Sequence, residues 1–102
     1  MSTAGIALHR PAIGRIMRIP GDPAITLTRI AHGERLAWQG AIAGEAWILS
    51  QPFRGSRDWQ GVTADELTAT PRLKRQARVI RWILEHQPEW KAALVSRRTT
   101  PA

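Results

Sequence analysis

The sequence predicts an α+β fold: a small antiparallel β-meander of three or four strands, followed by two or three C-terminal helices that cover one of its faces. Three observations predict it. Short β-branched runs separated by proline and glycine clusters occupy residues 13–50. A stretch rich in turn formers follows. The last third then carries apolar residues at helical spacing, punctuated by Pro71 and Pro88.

Segments 13–19 and 24–30 flank Pro20-Gly21-Asp22-Pro23, a run of turn formers that reads as the corner of a hairpin. Segment 35–42 alternates Leu36, Trp38, Gly40 and Ile42 against Arg35, Ala37, Gln39 and Ala41, one face apolar and the other small or polar. Segment 46–50 follows Gly44-Glu45 as a fourth strand, which makes Trp38 and Trp47 cross-strand neighbours on the buried face. A rival reading turns residues 34–49 into a helix on the strength of Ala37, Ala41, Ala43 and Ala46, and with it the whole domain becomes all-α. Interior Gly40 and Gly44 would cost such a helix about 2 kcal/mol relative to alanine, so the strands are preferred.

Residues 51–62 read as a loop, with Pro52, Gly55, Ser56 and Gly61 as breakers and Phe53, Arg54, Arg57 and Trp59 as decoration. Thr63-Ala64-Asp65-Glu66 has the spacing of a capping box, which predicts a short helix over 64–69. Pro71 disfavours a helical Thr70 and ends it. Thr70 as N-cap and Pro71 at the first helical position then launch a longer helix over 71–86. Gln87-Pro88 stops that helix and starts another over 88–97, with Glu89 near its N-terminus. Residues 1–12 and 98–102 are expected to be flexible.

A chain of 102 residues has the size of a single domain with one core, so residues 1–102 are read as one unit. Hydrophobic residues make up 43% and charged residues 23%, which argues for a folded rather than a disordered chain. The absence of cysteine excludes disulfides, thiolate catalysis and cysteine-ligated zinc, and fits a reducing cytoplasm. No apolar run approaches the roughly 20 residues that span a bilayer, and the first 19 residues lack the apolar core of a secretory signal.

The net charge of +7 arises from fifteen basic residues, thirteen of them arginine, against eight acidic ones. Arginine offers a planar, permanently charged fork that pairs with phosphate or carboxylate, so the bias points to anionic partners; a GC-rich genome produces the same bias without any function. The densest patch is Arg72, Lys74, Arg75, Arg78 and Arg81, five cations without an intervening acid. On the expected helix, Leu73, Ala77, Ile80 and Leu84 form the core stripe, widened by Val79 and Ile83. Trp82 then projects almost opposite, between Arg75 and Arg78. Two roles follow for it: a ring that stacks on bases within a guanidinium field, or a packing ring with arginine laid over it.

Arg54, Arg57 and Trp59, with Phe53, form a second candidate cluster, either extending the basic patch or turned inward to close the core. His9, His32 and His86 have neither the spacing nor the neighbouring carboxylates of a metal site, and no motif with a catalytic mechanism is present, so no enzyme, metal or cofactor is expected. A helix-turn-helix is a poor fit, because the first helix would be too short and the turn lacks glycine. The leading functional expectation is a small cytoplasmic nucleic-acid-binding protein, DNA or RNA, in which Arg72, Lys74, Arg75, Arg78 and Arg81 engage phosphates and Trp82, Arg54, Arg57 and Trp59 assist. Sequence specificity would then call for a homodimer. The alternative, from a different class, is a protein-binding inhibitor or adaptor of phage or plasmid type that docks on an acidic surface of a larger partner. Docking on anionic membrane is disfavoured, since the apolar stripe is needed for the core.

Overall fold

The computed structural model describes residues 12–53 and 55–99. Arg54, and most of the ends expected to be flexible, lie outside the described residues. The fold is α+β: a five-stranded antiparallel sheet in the order β1-β2-β3-β4-β5, followed by two helices. The strands are β1 (Ile16–Ile19), β2 (Ile25–Ile30), β3 (Ala37–Ile42), β4 (Glu45–Ser50) and β5 (Gln60–Thr63). The helices are α1 (Gln76–Glu85) and α2 (Gln87–Thr99). The first four strands fall where the β-branched runs predict them, and the all-helical alternative is thereby excluded.

Each strand is held by a local cause. The β1–β2 corner is the Pro-Gly-Asp-Pro cluster, with a cis peptide bond between Asp22 and Pro23. The β3–β4 hairpin closes on Ala43-Gly44, at φ 54° and 82°. Two central residues with positive φ are the mark of the tight turn whose twist matches the flanking strands, and glycine suits one of them at no steric cost. Gly40 answers a different demand: a Cβ there would overlap the carbonyl oxygen of Thr26 and lie 2.8 Å from Leu27 Cδ2.

One face of the sheet forms the core. Ile25 and Leu27 of β2, Trp38 and Ile42 of β3, and Trp47 and Leu49 of β4 are buried together with Val79, Ile80 and Ile83 of α1 and Trp90 and Leu94 of α2. Trp38 and Trp47 share that face but sit diagonally, because the register pairs Trp38 with Leu49 and Gly40 with Trp47. Trp47 instead meets Trp90 edge-to-face at 5.2 Å. Trp90 Nε1 donates to the Ile83 carbonyl at 2.7 Å, tying α2 to the end of α1. Arg29 is also buried on this face, opposite Trp38, and its guanidinium donates to the carbonyls of Ile30 and Ala37.

Three expectations are corrected between residues 60 and 76. The stretch read wholly as loop contains a fifth strand, β5, paired with β4 from Trp47↔Thr63 to Ser50↔Gln60. The capping box starts no helix: Glu66 stands at φ 63°, and Asp65 accepts from the Thr63 hydroxyl at 2.7 Å and the Leu67 amide at 3.2 Å, closing a turn. The chain then doubles back along β5, with the Thr70 amide donating to Gly61 and Trp59 and Leu73 exchanging backbone hydrogen bonds. Thr70 is therefore no N-cap. Its hydroxyl accepts from the Gly61 amide at 2.9 Å, so α1 begins five residues later than expected, at Gln76.

At its far end α2 runs on to Thr99 rather than stopping at Arg97. Arg97 donates to the Leu67 carbonyl and the Thr68 hydroxyl, while Arg98 bridges Glu45 and Asp65. The last turn is thus fastened to both the β3–β4 hairpin and the turn after β5. No helix among the described residues is long and apolar enough to cross a membrane.

Candidate functional site

The later start of α1 redistributes the basic cluster. Arg72 and Lys74 lie on the extended approach, Arg75 is the N-cap residue with φ −131° and ψ 145°, and only Arg78 and Arg81 belong to the helix. All five remain exposed. They line two adjoining grooves: one of about 460 Å³ bordered by Arg72, Leu73, Lys74, Arg75 and Arg78, and one of about 240 Å³ bordered by Arg75, Ala77, Arg78 and Arg81. Arg75 and Arg78 are common to both, so the cluster is one continuous ridge. Leu73 is half-buried against the core and anchors its base.

The loop between β4 and β5 runs beside this ridge. Trp59 pairs with Leu73 through the backbone, and Asp58 Oδ1 lies 3.6 Å from Lys74 Nζ. That exposed pair contributes little to stability. Arg57, next to Asp58, is exposed on the same loop. Among the described residues no carboxylate lies within ion-pair distance of Arg72, Arg75, Arg78 or Arg81.

The electrostatics of the ridge are unfavourable to the isolated fold. A helix N-terminus carries partial positive charge and is stabilised by acids or an oxygen-bearing cap, typically by 0.3–1 kcal/mol per charge at low ionic strength. The N-terminus of α1 has neither: its N-cap makes no side-chain hydrogen bond, its first turn holds no acid, and Lys74, Arg75 and Arg78 surround it. An anion placed there would relieve the arrangement.

The aromatic candidates are committed elsewhere. The buried face of α1 is Val79, Ile80 and Ile83, whereas Ala77 is exposed and Leu84 is 42% exposed. The core thus takes the Val79 and Ile83 side of the expected stripe, about 80° from its centre line through Leu73, Ala77, Ile80 and Leu84, and this carries Trp82 to the flank of the core. Trp82 is half-buried there and stacked on His86, with ring centroids 4.3 Å apart and planes at 13°. Trp59 is half-buried against the core, which supports the packing role for it. Phe53, the other ring of that loop, is 58% exposed.

A smaller cleft of about 150 Å³ lies on the opposite face of the sheet, floored by Ile48 and Val62 and edged by His32, Arg35, Ser50 and Gln60. Among the described residues no three histidine or acidic side chains converge as metal ligands would. The chain matches no known protein family, no curated protein and no solved structure.

Proposed function

We propose that the protein is a non-enzymatic nucleic-acid-binding module that engages backbone phosphates through Arg72, Lys74, Arg75, Arg78 and Arg81. The observation that carries this reading is the crowding of four exposed arginines, without carboxylate partners among the described residues, around the uncapped N-terminus of a helix. Such an arrangement costs the free protein stability and gains it from an anionic polymer. Guanidinium forks and the free amides of a helix start both suit phosphate oxygens. The half-burial of Trp82 and Trp59 leaves them as supports of the ridge.

The test pairs a binding measurement with a stability measurement. Glutamates at Arg75 and Arg78 occupy the N-cap and the third helical position, where negative charge favours α1. The Arg75→Glu, Arg78→Glu double variant is therefore expected to melt at the same temperature as the parent or higher, by calorimetry, while losing nucleic-acid binding by fluorescence anisotropy. The parent's affinity should fall with salt at a log-log slope of about −4 to −5 on duplex DNA if all five cations meet phosphates. A parent that stays folded at low salt and binds no nucleic acid would contradict the reading and move attention to an acidic protein surface.

A further inference from the structure

Resting on the nucleic-acid reading, we infer that the partner is double-stranded DNA, held through its backbone phosphates, rather than a single strand or an RNA duplex. The inference comes from what the rings are doing. Single-strand binders hold successive bases on exposed aromatic faces, each worth about 1–3 kcal/mol, beside a cationic track. This protein has the track and not the platform. Of its five tryptophans, Trp38, Trp47 and Trp90 are buried, Trp59 packs against the core, and Trp82 is wedged between the core and the imidazole of His86. Phe53 is the one large exposed ring among the described residues, and it lies on the β4–β5 loop rather than in either arginine-lined groove.

Shape selects the duplex type. The outer face of α1 presents the exposed Arg78 and Arg81 beside the small, exposed side chain of Ala77, so the guanidiniums stand on a helix face that carries no bulky residue between them. Arg75 to Arg81 spans about 9 Å along the helix axis. The major groove of B-form DNA, about 12 Å wide, admits a helix with phosphates on both rims, whereas the deep, narrow major groove of A-form RNA does not.

Anisotropy with three probes of one mixed sequence, about 20 base pairs or nucleotides long, decides it: duplex DNA, one of its strands, and duplex RNA. The expected result is duplex DNA bound about tenfold or more tighter than either competitor, loss of binding in the Arg75→Glu, Arg78→Glu variant, and unchanged affinity in Phe53→Ala. Preference for the single strand, or weaker binding in Phe53→Ala, overturns the inference while leaving the phosphate-binding ridge standing. Equal or tighter binding of duplex RNA overturns it in the same way. Binding of none of the three overturns both.

Discussion

Glu66 holds its backbone at φ 63°, a region that costs an L side chain about 1–2 kcal/mol and glycine nothing. Its side chain is exposed. Glu66→Gly should therefore stabilise the fold, by about 0.5–1 kcal/mol once the added freedom of the unfolded glycine is subtracted, read as an increase in the urea midpoint. A helix through this residue, as the capping-box spacing predicts, would give the opposite sign, since glycine weakens helices by about 1 kcal/mol. The residue scale also shows where local chemistry is ambiguous. A threonine hydroxyl and a nearby carboxylate serve a helix start or a tight turn equally well, and here Thr63 and Asp65 face each other at 2.7 Å to close the turn. Gly40 is legible as a helix breaker, yet its actual reason, the close approach of the Thr26 carbonyl, belongs to the neighbouring strand and leaves no local trace.

At the scale of elements, β1 to β4 and α2 are legible because their signals are local: β-branched alternation, proline-glycine corners, and a proline that punctuates the helices. The segment from β5 to the start of α1 is not. Gln60–Thr63 is four residues long and contains Gly61, whose missing side chain makes room for Val79, so a Cβ would stand 3.1 Å from Val79 Cγ1. Residues 68–73 are extended because their amides and the Thr70 hydroxyl find partners on Trp59 and β5, contacts that no periodicity encodes. The C-terminal fastening is likewise a tertiary fact. Arg98 is held protonated beyond its ordinary range by Glu45 first and Asp65 second. The Asp65 carboxyl is held below its ordinary value of 3.8, first by the Thr63 hydroxyl and then by Arg98. A depressed carboxylate contributes stability that is complete above its unfolded pKa and is lost as pH falls through the folded value. The parent should accordingly lose melting temperature on acidification below about pH 4, and Asp65→Asn should be less stable than the parent at pH 7 but lose less over the same interval. Equal acid sensitivity in the two proteins would show that the Asp65 contacts contribute nothing in solution.

For the whole molecule, the division of labour is between a packed face and a charged rim. Both helices lie on one face of the sheet, so the core takes four of the five tryptophans wholly or in part through Trp38, Trp47, Trp59 and Trp90, and Trp82 flanks it. Five of the fifteen cations gather within ten residues at the junction of the returning chain and α1. The identity of those residues is plain in the sequence. Their disposition was only partly so: the expected single arginine-rich helix is an extended lead-in, a bare cap and two helical arginines, because the hydroxyl expected to start the helix is spent on Gly61. Residue-resolved NMR titration of the labelled protein with duplex DNA tests most directly whether the ridge is the contact surface. The predicted result is amide shift changes concentrated between residues 72 and 81 and on the adjoining loop at Arg57 and Asp58, growing with DNA and reversed by added salt. Changes centred on the uncovered sheet face, at Thr26, Gln39 and Ile48, with the ridge unmoved, would contradict it.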